Sequence, residues 1–313
     1  LSRRHHKRVR ILLALLVLAA CAPTATPAQP VALNIQTTAH GIAWASVGEG
    51  EPLLLLNGTG SPMSEWDPGF LRAMASDRRV IVFDYPGLGA STAPARRTFA
   101  GMAEDARELL DDLGIERIDI LGWSMGGFVT QELLRAHPDV VDKAVLVATN
   151  PGGDDTELGP EWVQRADSDA DGSDRVYLLT NYPRTQCAQA RGREFLTRLE
   201  GAVDSGRYPM PRTPNATYRR MVRAEDPWLR SRRNARELPL VHNPVLVMVG
   251  ERDVITPPSN SRTIASLIPD STLVTVPAAG HSVLFQDPKQ SALLIGAFLD
   301  GRALPNPAWP CER

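Results

Sequence analysis

The sequence predicts an α/β fold: a mainly parallel central sheet flanked by helices, with a cap inserted late in the chain. Three observations carry that prediction. Short, fully apolar runs recur at Leu53 to Leu56, Val80 to Phe83, Ile118 to Leu121, Ala144 to Ala148 and Val245 to Val249. Such runs suit strands buried on both faces of a parallel sheet. Segments of helical period lie between them, and a strand–helix alternation is what builds an α/β sheet. Between about Pro151 and Leu240 the alternation stops, and no buried strand pattern is seen there. The chain has 313 residues, 43% of them apolar, enough for one large domain with an insertion.

The first twenty residues read as a secretory signal. Arg3, Arg4, Lys7, Arg8 and Arg10 precede the apolar run Ile11 to Ala20. That run is short of the ~20 residues that span a bilayer, and a basic stretch before a short apolar core marks export. The run ends Leu18-Ala19-Ala20-Cys21, which resembles the lipobox of bacterial lipoproteins. The resemblance implies cleavage before Cys21 and lipidation of its thiol. It also implies a membrane anchor on the extracytoplasmic face, since several acyl chains hold stably where one does not. Ser2-Arg3-Arg4 is similar to a twin-arginine signal, but His6 and Lys7 stand where that pattern wants apolar residues, so the export route stays open. Residues 21–30, rich in Pro, Ala and Thr, read as a tether.

The core is expected over 31–150 and 241–304. Ile42 to Val47 has strand character. Phe99 to Leu113 places Met102, Ala106, Leu109, Leu110 and Leu113 on one helical stripe closed by Gly114. Further helices are expected over Phe128–Ala136, Ser259–Leu267 and Lys289–Leu299, and a strand over Thr272–Val276. Residues 151–240 are expected to form the cap, with short helices near Val176–Leu179, Phe195–Leu199 and Met221–Leu229. Its first part is acidic and the rest basic, which reads as charges that pair with each other or face water. Asp167-Ser168-Asp169-Ala170-Asp171-Gly172 matches the start of a calcium loop. Leu178 stands where such a loop needs a bidentate Glu, so it reads as a solvated acidic loop and no metal is expected. Residues 305–313 read as an irregular tail. Cys187 and Cys311 are an even pair outside the cytoplasm. Spacing alone does not decide whether they bond.

The chemistry centres on Gly122-Trp123-Ser124-Met125-Gly126-Gly127, a G-x-S-x-G pattern between an apolar run and a helix. A serine on such a turn is held in a strained conformation with its hydroxyl pushed out above the sheet. It needs a base, and the base needs an orienting acid. Asp253 follows the strand Val245–Gly250, and His281 follows the strand Thr272–Val276. The C-terminal ends of parallel strands converge on one crevice, so the three can meet. The other histidines stand at worse places: His40 precedes the first sheet pattern, His137 closes a helix, and His242 precedes its strand. Glu251 shares the loop with Asp253 and is the weaker choice of acid. Backbone N–H groups of Thr59, in the turn Asn57-Gly58-Thr59-Gly60, and of Met125 are the expected oxyanion donors. Asp84 to Ser91 reads as a structural turn.

Residues from about 40 to 150 and 240 to 300 resemble the α/β-hydrolase superfamily of serine hydrolases. The matching pieces are Asn57-Gly58-Thr59-Gly60, Asp84-x-x-Gly87-x-Gly89-x-Ser91, the Ser124 turn, Gly250-x-x-Asp253-x-x-x-Pro257 and Gly280-His281. The usual oxyanion turn of that family begins with His, and here Asn57 replaces it. The resemblance implies an esterase, lipase, aminopeptidase, C–C bond hydrolase or cofactor-free haloperoxidase. Members with a nucleophilic Asp are disfavoured because the elbow holds Ser. The expected function is hydrolysis of a small ester-like substrate without a cofactor. The alternatives are a perhydrolase or haloperoxidase using the same triad, and a non-catalytic envelope binding lipoprotein. A net charge of −2 gives no reason to expect nucleic acid as a partner.

Overall fold

A computed structural model describes residues 30–167 and 173–312. Cys21, the signal, nearly all of the tether and the centre of the acidic Asp167–Gly172 loop lie outside the described residues. The described body runs from Val31 onward.

The chain forms β1 (Gln36–Thr37), β2 (Ala43–Val47), β3 (Glu51–Leu56), α1 (Pro68–Met74), β4 (Arg78–Phe83), α2 (Phe99–Asp112), β5 (Ile118–Trp123), α3 (Met125–Ala136) and β6 (Val141–Val147) in order. Helices α4 (Glu161–Asp167), α5 (Asp174–Asn181), α6 (Gln186–Asp204), α7 (Asn215–Leu229) and α8 (Arg233–Glu237) follow. The fold closes with β7 (Val245–Gly250), α9 (Pro258–Leu267), β8 (Ser271–Val276), α10 (Val283–Gln286) and α11 (Pro288–Leu299). The sheet order is β1-β2-β4-β3-β5-β6-β7-β8. β2 pairs antiparallel with β1 and β4, and the remaining pairs are parallel. β1 is absent from the sequence reading because its two exposed residues carry no apolar signal.

The apolar runs behave as strands buried on both faces. Leu53, Leu55, Val80, Val82, Leu121 and Val145 join one core with Trp66, Phe70 and Ile295. Their neighbours Leu54, Leu56, Ile81, Phe83, Ile120 and Leu146 join the opposite core with Phe99, Leu109 and Phe128. This is the period-two alternation of a strand, with hydrophobic side chains on both sides. Burial of each large apolar side chain contributes about 1.5–3 kcal/mol.

Between β6 and β7 the described residues form helices and no strand. Helix α6 is longer than its apolar segment suggested. Thr185 caps its N-terminus by accepting from the Ala188 N–H, and Ala188, Gly192, Phe195 and Ala202 form its buried stripe. Cys187 on α6 and Cys311 in the C-terminal tail are joined as a disulfide, which answers the pairing question left by the sequence. In the tail, Trp309 packs against the core. Of the acidic and basic halves of this insertion, Asp154 pairs with Arg232. Many of the other ion pairs are local or reach the core, such as Arg198 with buried Asp67. No described helix is long and apolar enough to cross a membrane.

Candidate active site

The strand order reverses between β3 and β5, because β4 lies on one side of β3 and β5 on the other. In open parallel sheets that reversal opens a crevice at the carboxyl ends of the strands. Ser124 stands there, directly after β5, with φ 56° and ψ −122°. A positive φ on a non-glycine residue costs free energy and persists only where the surroundings hold it. Here the Ser124 N–H donates to Val147 O at 2.9 Å, and Ser124 O accepts from Thr149 Oγ1 at 2.9 Å. The flanking glycines are required by close approach. A Cβ on Gly122 would lie 2.3 Å from Gly126 O, and one on Gly126 would lie 2.0 Å from Leu56 O. Met125 opens α3 and is fully buried. As the first helical residue, its N–H has no intrahelical acceptor.

Asp253 and His281, two of the candidates read from the sequence, come together, each in a loop past a parallel strand. His281 Nδ1 lies 2.9 Å from Asp253 Oδ2, and both residues are buried. Asp253 also accepts from the backbone N–H groups of Ile255 and Thr256, both at 2.9 Å to Oδ1. Thr256 Oγ1 donates to Oδ2 at 2.7 Å and lies 3.2 Å from His281 Nδ1. The carboxylate is thereby oriented on both oxygens. Glu251, the weaker candidate, lies near the Ala278 N–H instead. His40 pairs with Asp112 and His137 with Glu104, away from this loop.

The turn Asn57-Gly58-Thr59-Gly60, the expected oxyanion turn, is braced by its first residue. Asn57 Nδ2 donates to Pro62 O, and Asn57 Oδ1 accepts from Gly58 N–H, both at 3.0 Å. The amide spans the turn from within. Thr59 follows it, and its Oγ1 donates to Glu225 Oε1 at 2.6 Å. Asp84 serves structure: its carboxylate accepts from Met63 N–H at 2.7 Å and Ala90 N–H at 2.8 Å. Burial raises the Asp84 pKa, and those two bonds oppose the rise.

Several neighbours were invisible in the sequence because they come from distant segments. Trp123 lies against the His281 ring with centroids 5.4 Å apart, and its Nε1 donates to His281 O at 3.1 Å. On α5, Asn181 O accepts from Ser282 N–H, Asn181 Oδ1 accepts from Ser282 Oγ, and Tyr177 Oη lies 2.9 Å from Ser282 Oγ. The helical insertion therefore holds the loop that carries His281. Two cavities open on Ser124, about 420 Å³ and 250 Å³, and both are lined by Thr59, Ser124 and Ile255. The larger adds Phe128, Leu158, Val163, Val222 and Leu229. The smaller adds His281, Trp123, Tyr177 and Glu65. Burial pushes the Glu65 carboxyl up to about 7, with Asp84 adding to the rise and a hydrogen bond from Ser61 opposing it. Among the described residues no group of His, Cys, Asp or Glu is placed to hold a metal ion.

The sequence matches the family described as "alpha/beta hydrolase fold" over residues 51–288. A candidate non-heme bromoperoxidase of Mycobacterium tuberculosis, BpoC, is 29% identical over 258 residues, covering 79% of this chain and 93% of that protein. The pimeloyl-[acyl-carrier protein] methyl ester esterase of Nitrosomonas europaea is 29% identical over 259 residues, covering 78% and 94%. Among solved structures, an α/β-hydrolase fold protein from Chitinophaga pinensis superposes with a TM-score of 0.74 at 24% identity, over 87% of this chain and 98% of that one. A thermophilic esterase from Thermogutta terrifontis gives 0.65 at 26%, over 88% and 99%. With the sheet order, the strained serine turn and a match over well more than half its length, the chain belongs to the α/β-hydrolase fold family.

Proposed function

We propose that the protein hydrolyses carboxylic esters through Ser124, His281 and Asp253 by way of an acyl-enzyme. One observation carries the reading: a serine at φ 56° shares a cavity with a histidine whose Nδ1 is committed to a buried carboxylate. With the imidazole proton on Nδ1, Nε2 is the nitrogen left to take the Ser124 proton. Ser124 Oγ then attacks the carbonyl carbon, and the N–H groups of Thr59 and Met125 receive the oxyanion. His281 returns the proton to the leaving group, and water attacks the acyl-enzyme with the same imidazole as base. Relatives named as esterases support ester as the bond and water as the acceptor. Ser124→Ala is expected to abolish both turnover of p-nitrophenyl esters and labelling by a fluorophosphonate probe. Full labelling of that variant would sink the assignment.

We also infer that the chain is exported and lipid-anchored through Cys21 at the extracytoplasmic face of a membrane. The order of basic segment, apolar run and Cys21 supports this. The Cys187–Cys311 disulfide supports it independently, since such bonds persist in oxidising compartments. Metabolic labelling with a clickable fatty acid is expected to mark the full-length chain and to miss Cys21→Ser. An unlabelled wild type refutes the anchor.

A further inference from the structure

The two cavities that meet at Ser124 treat their carboxylates differently. In the larger, each has a partner: Glu161 pairs with Arg165, Asp226 with Arg230, and Glu225 accepts from Thr59. In the smaller, Glu65 has the Ser61 hydroxyl, and among the described residues no arginine or lysine forms an ion pair with it. A half-buried carboxylate without a counter-charge is costly, so the site favours whatever brings one. The same cavity is walled by Trp123, Tyr177 and Tyr218. Aromatic faces around a carboxylate are a setting that receives an organic cation.

The side of the nucleophile is set by His281. It lines the smaller cavity and not the larger. In acyl transfer the imidazole delivers its proton to the leaving group, so the leaving group lies on the histidine's side. The larger cavity, with Phe128, Leu158, Val163, Val222 and Leu229, is left for an apolar acyl chain.

Building on the serine-hydrolase reading above, we propose that the cavity of Glu65, Trp123, Tyr177 and Tyr218 is a subsite for a cationic leaving group. The preferred substrates are then esters of amino alcohols with an apolar acyl chain. Hydrolysis cleaves the acyl C–O bond, water supplies the oxygen of the new acid, and the amino alcohol leaves with the proton from His281. The cation itself is unchanged.

The test compares butyrylcholine with its uncharged isostere dimethylbutyl butyrate, in which a quaternary carbon replaces the nitrogen. Binding to the Ser124→Ala protein is measured by calorimetry at about pH 8, where a carboxyl such as that of Glu65 is ionised. The cationic ester is expected to bind about tenfold more tightly, or better. Glu65→Gln in the same background is expected to bring the ratio to within about threefold of one, with binding of the neutral ester and the melting temperature reporting that the site is intact. Equal binding of the two esters overturns the proposal, and so does a preference that survives Glu65→Gln. Turnover by the unsubstituted protein separates the two readings. If neither ester is hydrolysed while Ser124→Ala still prefers the cation, the ester reading falls and the cation subsite stands. If both are hydrolysed with the neutral one preferred, the subsite falls and the hydrolase reading stands.

Discussion

Replacing Asp253 by Asn keeps the shape of the side chain and removes one acceptor, and the structure dictates which one. Asp253 Oδ1 faces the fixed N–H groups of Ile255 and Thr256 at 2.9 Å. An amide NH2 cannot face two donors, so its carbonyl must take that place. The NH2 then occupies the Oδ2 position, 2.9 Å from His281 Nδ1. It donates to Nδ1 and forces the imidazole proton onto Nε2. In that tautomer Nε2 cannot accept from Ser124, and the base is lost with little change in geometry. The Thr256 hydroxyl, 2.7 Å from Oδ2, can turn to avoid the new donor. We expect kcat to fall about 10⁴-fold, equivalent to about 5.5 kcal/mol, with KM within a few-fold. The assay is steady-state hydrolysis of p-nitrophenyl butyrate beside the rate of fluorophosphonate labelling, with circular dichroism to confirm the fold. A folded Asp253→Asn protein that loses less than about tenfold in kcat would refute the tautomer argument.

Three further outcomes are expected. Asn57→Ala removes two buried hydrogen bonds that brace the oxyanion turn, so thermal denaturation should show a loss of about 2–3 kcal/mol. Its kcat should fall about 10–100-fold with KM less affected, and an unchanged kcat would remove Asn57 from oxyanion support. Cys187→Ser combined with Cys311→Ser opens a bridge across 124 residues, and denaturant melts should register a loss of about 2–5 kcal/mol, mirrored by reductant acting on the wild type. The Glu65 carboxyl sits at about 7 in the fold against 4.5 for an ordinary glutamate. Between those values the folded chain keeps a proton that the unfolded chain has lost, so this group lowers stability as pH rises through the window. The whole effect reaches about 3 kcal/mol. Melts at both ends of the window should show that Glu65→Gln gains relative to wild type as pH rises, and equal slopes would contradict it.

The legible part of the site was the part written in short, contiguous patterns. The Ser124 turn is a local object: apolar strand, glycines at close approach, helix. Asp253 and His281 could be chosen because each follows a strand end, and parallel strands deliver their ends to one edge. Thr256 could have been suspected from its place three residues after Asp253, since a hydroxyl there can cap the carboxylate. Tyr177, Asn181 and Glu65 had no such signal. They reach the site through helix packing and a turn far from Ser124 in sequence, and contacts of that kind leave no period in the chain. The charge halves of the insertion showed only net sign for the same reason: partners such as Arg198 with Asp67 lie across the fold.

By itself the sequence determined the buried strands of the sheet, the glycine-flanked turn at Ser124 and the places of Asp253 and His281 just past strand ends. Backbone geometry and binary pattern act over a few residues and are therefore written locally. The tertiary structure alone decided that Cys187 meets Cys311, that α5 grips the His281 loop, and that Ser124 opens on two unlike cavities. Those features depend on which surfaces of distant helices come to rest together. That is set by the packing of the whole core and by no single segment.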